Sequence, residues 1–332
     1  MRFGRFLLSR IFTYILVIWI GVTAVFILPR FMPSDPVESM IARMTSQGAA
    51  MTTEEITTFR TNLKRQFGLE GTLLEQYFTS VKNMVTLNFG YSLAMFPTPV
   101  RELISRALPY TVGLLLTTTI ISWILGNLIG LIAGFHRDKW YSKALETVAI
   151  CIYPTPYFIL ALILITLFCF INRWFPLVAV FPSTASFSWP YIKSVVHNSF
   201  LPAISLVTLG CGWWIISMKS LSSNVSEEDF VNYARLKGLS ERVIGVRYVF
   251  RNSILTQVTA LALNLGTLFN GALMTEIMFG YPGVGTLVQN AIRQSDYNLM
   301  LGTISISILA VATTTLIVDL IYPFLDPRIR YK

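Results

Sequence analysis

Six stretches without one charged side chain, at 11–28, 107–135, 147–172, 194–218, 252–275 and 297–318, limit what this chain can fold into. About 20 apolar residues cross a bilayer as a helix, and the later five stretches all exceed that. Lipid gives backbone N–H and C=O groups no partner, so such runs must satisfy themselves as helices. Charged residues are 13% of the chain, where a soluble domain carries about 25%. The expected fold is an all-α integral membrane protein with six transmembrane helices.

The net charge is +9. The basic residues gather at the ends of apolar runs rather than in one block, which argues for membrane orientation and against nucleic acid. With the N-terminus inside, the inner segments carry fifteen Lys and Arg and the two short outer loops only three. Both termini and the segment 219–252 are therefore expected on the cytoplasmic face. Arg2, Arg5 and Arg10 precede the first run, which is too long for a signal peptide and has no small-residue cleavage site at Pro29-Arg30-Phe31. It reads as a retained span.

Three segments follow: 1–30 as tail and first span, 31–106 as an extracytoplasmic excursion, and 107–332 as a five-helix core. In the excursion, Asp35-Pro36 is a turn or helix start, and 44–51 reads as variable surface. A helix capped at Thr53 would carry Ile56, Phe59, Leu63 and Phe67 on one face. Pro154 and Pro156 each lack an N–H and should bend the third span. Cys151, Cys169 and Cys211 all lie in apolar runs, without metal-site spacing, and read as small buried hydrophobes. His136 and His197 fall at opposite sides of the membrane, so no metal site is expected.

The fifth run is unusually polar. Thr256, Thr259, Thr267 and Asn270 share a helical stripe, with Gln257 and Asn264 one residue round. Such a stripe faces protein or a wet pathway rather than lipid, and both readings stay open. Thr117, Thr118, Thr119 and Asn127 in the second run, with Ser305, Ser307 and Thr313 to Thr315 in the sixth, are weaker candidates because hydroxyls often bond their own helix.

Between the fourth and fifth runs lies a polar island, 226–252, reading SEEDFVNYARLKGLSERVIGVRYVFRN. Ser226 can cap a first helix, with Asp229 reaching back and Glu227 and Glu228 at its positive end. Phe230, Tyr233, Ala234 and Lys237 would share one face. Gly238 suits a left-handed stop, and Ser240 with Glu241 can start a second helix.

In this island Glu228, Asp229, Phe230, Val231, Ala234, Arg235, Lys237 and Gly238 match E-D-[YF]-V-x-x-A-R-x-K-G. The segment thus resembles the cytoplasmic coupling (EAA) loop of ABC importer permeases of the dipeptide, oligopeptide and nickel family, of the first-permease type. Arg247-Tyr248 and Arg251-Asn252 agree with that family as well. Glu276, Phe279, Pro282, Gly283, Gly285 and Leu287 are similar to its E-x-x-F-x-x-P-G-x-G-x-L after the fifth span. Phe89-Gly90-Tyr91-Ser92, Asp319, Tyr322 and Asp326-Pro327-Arg328 extend the likeness over nearly the whole chain.

The resemblance implies a permease subunit in a prokaryotic plasma (inner) membrane, paired with a second, similar permease. Two ATP-binding subunits would dock on the coupling loops, here through 228–239 with Tyr233 and Leu239 included. An extracytoplasmic binding protein would deliver substrate, and Glu276, Phe279, Pro282, Gly283 and Gly285 would form an outer gate or turn. ATP and Mg would belong to the partners, since the chain has no G-x-x-x-x-G-K-[ST] and binds no cofactor of its own. It would be a transport subunit, not an enzyme. Short peptides are the first expectation for cargo and oligosaccharides the second, with nickel as the alternative within the family. An ion-gradient-driven secondary transporter is the rival class, but the halves show no evident repeat and the charges lie at span ends.

Overall fold

The computed structural model describes residues 2–27, 31, 36–46, 52–66, 71–181, 188–266 and 272–325. Among them the regular structure is helical, with one isolated β-bridge between Tyr91 and Pro99. In order the helices are α1 (Arg2–Ile27), α2 (Pro36–Ser46), α3 (Thr53–Gln66), α4 (Leu73–Val85), α5 (Val100–Phe135) and α6 (Trp140–Ile152). Next come α7 (Tyr157–Ile165), which runs on into a π turn at Thr166–Ile171, α8 (Trp189–Ser226) and α9 (Asp229–Leu236). α10 (Glu241–Val243) continues through a second π turn, Ile244–Phe250, into α11 (Arg251–Gly266), followed by α12 (Ala272–Met278), α13 (Val284–Arg293) and α14 (Tyr297–Leu325).

Four of these helices, α1, α5, α8 and α14, hold stretches long and apolar enough to span a membrane, and the α6–α7 pair makes a fifth if it counts as one crossing. The expected six is not reached among the described residues. The fifth run appears there as α11, 16 residues long, and then passes into 267–271, outside the described residues. The third run is not a single straight rod either: α6 and α7 meet at 99°. Pro156 is the residue just before α7 and Pro154 lies in the break, so the missing N–H groups fall where the helix parts.

The chain forms two compact units. In the central one, which holds Val112–Tyr281, α5 packs closely on α8. Gly126, Gly130 and Gly134 recur one turn apart along α5. A β-carbon at Gly130 would stand 2.6 Å from the Ile215 carbonyl oxygen and 2.8 Å from Met218 Cβ. At Gly126 it would collide with Trp214 Cβ, and at Gly134 with Ser222 Oγ. Small residues on one stripe let two backbones approach, which is how membrane helices gain packing energy where apolar burial gains nothing over lipid. A polar node adds α11: Trp123 Nε1 donates to the Gln257 carbonyl at 3.1 Å, and Gln257 Nε2 donates to Ser217 Oγ at 2.8 Å.

In the other unit, Gly4–Thr111 with Pro282–Leu316, α2 and α3 pack through Val37, Ile41 and Leu63, with Ile56 and Phe59 against them. The predicted face of α3 is thus buried as far as Leu63, while Phe67 lies outside the described residues. Its cap is Thr52, one residue before the expected Thr53: Thr52 N–H donates to Glu55 Oε2 at 2.7 Å. α4 was not anticipated, although Thr72 and Glu75 form a full capping box. A second core joins α5 to α13 and α14 through Val100, Ile104, Ala291, Leu299 and Met300.

Candidate functional site: a loop helix, a mid-span pocket and a turn

The polar island folds around α9, but its start differs from expectation. Ser226 is the last residue of α8, and its Oγ donates back to the Ser222 carbonyl at 2.7 Å, so it is not free to cap the next helix. Glu228 takes the N-cap position without a side-chain cap bond, and Asp229 supplies the negative charge in the first turn. The far end is as expected. Gly238 has φ +75°, the left-handed region that glycine enters without steric cost. The Gly238 N–H donates to the Arg235 carbonyl at 2.9 Å and the Leu239 N–H to the Ala234 carbonyl at 3.3 Å, a Schellman stop.

α9 divides its residues differently from the predicted stripe. Val231 and Ala234 are buried and pack with Ile244 and Val249, against Leu131 and Phe135 at the end of α5. Phe230, Tyr233 and Leu236 point outward, Leu236 at 86% exposure. Phe230 stacks loosely on Tyr248, and Lys237 Nζ lies 4.6 Å from the Tyr233 ring centre. Arg235 pairs with Glu241 at 3.4 Å, and Arg137, just beyond α5, pairs with Glu227. The second helix expected at Ser240 is the head of the fifth run itself, since Glu241–Val243, the π turn and α11 follow without a break. A rigid inner face and an exposed aromatic outer face result.

The polar stripe of the fifth run is dispersed rather than gathered. Thr259 is buried, Thr256 is exposed, and Thr267 and Asn270 lie outside the described residues. Gln257 is fully buried in the helix node. Among the described residues of that stripe, Asn264 reaches a cavity of about 350 Å³. Thr118, Thr119 and Ser122 of α5, Tyr153, Thr155 and Tyr157 at the α6–α7 break, and Gly210 and Trp213 of α8 line it too. Of the weaker candidates in the second and sixth runs, Thr118 and Thr119 share this cavity with Asn264. Tyr153, Tyr157 and Trp213 were missed. The Pro-x-Pro that opens the helix beside them was the available signal.

In the central unit Glu276, Phe279 and Tyr281 are all buried. Phe279 packs on Ala161, Ile165 and Leu201, and the Tyr281 hydroxyl lies 3.0 Å from Ser199 Oγ. The left-handed residue of this stretch is Gly280, φ +58°, not a glycine of the Pro-Gly pair. In the other unit Gly283 is extended and caps α13, and the Val284 N–H donates to Thr111 Oγ1 at 2.8 Å. Gly283 and Gly285 are thus the start of a helix.

The model of the family described as binding-protein-dependent transport system inner membrane component matches residues 126–331. A protein of Brucella suis biovar 1 named as a peptide permease is 28% identical over 309 residues, covering 92% of each chain. The glutathione transport system permease protein GsiC of Escherichia coli K12 is 27% identical over 328 residues, covering 99% of each. Its counterpart in Shigella flexneri serotype 5b matches over the same length at the same identity. With the apolar helices, a match across more than half of the sequence, and relatives aligned end to end, this chain is a multi-pass membrane protein that belongs to the family of inner-membrane components of binding-protein-dependent transport systems.

Proposed function

We propose that this chain is one of two permease subunits of an ATP-driven, binding-protein-dependent importer of short peptides. Both termini and α9 face the cytoplasm in this reading. A second, similar permease completes the pathway, two ATP-binding subunits hold ATP and Mg, and an extracytoplasmic protein delivers cargo. The names of the aligned relatives support peptides over oligosaccharides or nickel.

The observation that carries the coupling role is the split of α9. Val231 and Ala234 tie the helix to the end of α5 and to the π turn that leads into α11, so a push on α9 is a push on the bundle. Phe230, Tyr233 and Leu236 are left outward on the same short helix, an arrangement suited to a helix-in-groove contact. Closing of the ATPase pair would move α9 and rock the spans, provided the two states differ in their contacts at that groove.

The test is ATPase activity of the reconstituted complex with its binding protein loaded with short peptides. Peptide-dependent stimulation is expected, and Tyr233→Ala with Leu236→Ala should abolish it while the permease pair still purifies intact. ATP-independent uptake, or no complex with any ATPase, would overturn the reading in favour of a secondary transporter.

A further inference from the structure

We infer that the cavity between α5, α8 and the α6–α7 break binds the amino end of the peptide in transit. This rests on the peptide-importer reading and assigns the cargo's contact within it.

Depth comes first. Thr118 stands at the centre of the 36-residue α5, and the lining residues of α8 fall near the centre of its 38. The helix break at 153–156 meets the same level, because Gly212 admits the Tyr153 backbone, with Tyr153 Cα 3.2 Å from where a β-carbon would stand. Non-helical backbone at membrane depth is tolerated where it lines a polar cavity or is buried in protein. Here Tyr153, Thr155 and Tyr157 of the break all line the cavity.

Proton accounting gives the chemistry. Thr118 Oγ1 donates to the Leu114 carbonyl at 2.7 Å, Ser122 Oγ to Thr119 at 3.0 Å, and Thr155 Oγ1 to Cys151 at 3.1 Å. Each hydroxyl has given its one proton to its own helix, so what it offers the cavity is lone pairs. Tyr153, Tyr157 and Trp213 line the cavity as well, and an aromatic ring turned face-on to a guest favours a cation. No charged side chain of either sign lines the cavity among the described residues, so the hydroxyl and ring dipoles alone choose between the two ends of a peptide. The guest that suits three acceptors and aromatic faces is an ammonium with its neighbouring N–H groups. A volume of about 350 Å³ lies at the small end of ligand pockets and accepts one or two residues.

The experiment is equilibrium dialysis of labelled trialanine against the whole purified importer without its binding protein, compared with N-acetyl-trialanine. Saturable millimolar binding of trialanine is expected, weakened about tenfold by acetylation and by Thr118→Val with Ser122→Ala. Thr118→Ser should bind as the parent, because the acceptor is kept. Size exclusion of the complex checks that the valine and alanine variants still assemble, so that lost binding is not read from a misfolded permease. Equal binding of both peptides, or binding indifferent to the variants, overturns the inference. Uptake of trialanine in proteoliposomes with ATP and binding protein is measured in parallel. Uptake without direct binding sinks this inference alone, whereas neither uptake nor binding sinks the peptide reading as well.

Discussion

Ser92 and Asp296, 204 residues apart, are joined by a buried hydrogen bond of 2.5 Å from Ser92 Oγ to Asp296 Oδ2. The same carboxylate accepts from the Ala94 N–H at 2.9 Å, and its other oxygen accepts from Leu299 N–H at 3.0 Å, capping α14. One side chain therefore starts the last helix and holds the loop before α5. Asp296→Ala removes the cap and strands two buried donors, and should cost about 2–4 kcal/mol. Ser92→Ala should cost about 1–2 kcal/mol, as a bond to a charged acceptor. Thermal unfolding of the detergent-purified protein measures both, and an Asp296→Ala midpoint equal to the parent's would refute the role.

The α5–α8 stripe yields a contrast between two glycines of one helix. Gly130→Val would drive a side chain into the Ile215 carbonyl and Met218, and is expected to abolish stable expression. A β-carbon at Gly113 would meet nothing within 4 Å, so Gly113→Ala should be neutral or stabilising by up to about 1 kcal/mol. Size-exclusion profiles of the two variants separate packing from helix propensity. Equal behaviour would mean that the stripe does not hold the helices together.

Gly238 isolates backbone conformation from packing, because its φ is +75° and no atom lies within 4 Å of where a β-carbon would stand. Gly238→Ala should therefore cost about 1–2 kcal/mol locally, with partial loss of peptide-stimulated ATPase. Gly238→Pro cannot adopt that φ and should uncouple transport while the bundle still folds. Full stimulation in the proline variant would remove Gly238 from the coupling path.

Gln257 ties α5, α8 and α11, and its side chain is fully buried. Interhelical bonds in membranes average well under about 2 kcal/mol, so Gln257→Leu, which keeps the volume, should cost about 1 kcal/mol. Gln257→Ala adds a cavity and should cost roughly twice that or more. Denaturation of the two variants in mixed micelles reads the difference; equal costs would place the node's value in the hydrogen bond alone.

Glu55 supplies a pH test outside the spans. Hydrogen bonds from the Thr52 N–H and hydroxyl hold its carboxyl below the ordinary value. A depressed folded pKa contributes stability above the unfolded value, about 4.3, and loses it as pH falls through the folded one. The protection factor for hydrogen exchange at the start of α3, corrected for the intrinsic pH dependence, should fall only on acidification through that window, and Glu55→Ala should show the lowered protection at neutral pH.

Much of this architecture was legible because the signals are local. Uncharged runs have to be helical in lipid whatever surrounds them, and Gly238 marks its stop because only glycine enters that backbone region freely. Pro154 and Pro156 announce a break for the same kind of reason, a missing N–H. The Thr72–Glu75 box and the Ser295-Asp296 pair before the last run were equally local and could have been read.

Other features depended on partners distant in the chain. Ser226 has the right chemistry for a cap, but the length of α8 decided that its hydroxyl bonds Ser222. Periodicity placed Phe230, Tyr233 and Ala234 on one stripe, and it cannot say which arc of an amphipathic helix meets the bundle; the end of α5 decided for Val231 and Ala234. The cavity draws on α5, the break, α8 and α11 together. Helix-forming and membrane-crossing segments are properties of a continuous stretch of residues, and the sequence determined them by itself. Which hydroxyls face one another depends on helix rotation and close approach, set by glycines such as Gly130 and Gly212, and that only the tertiary structure decided.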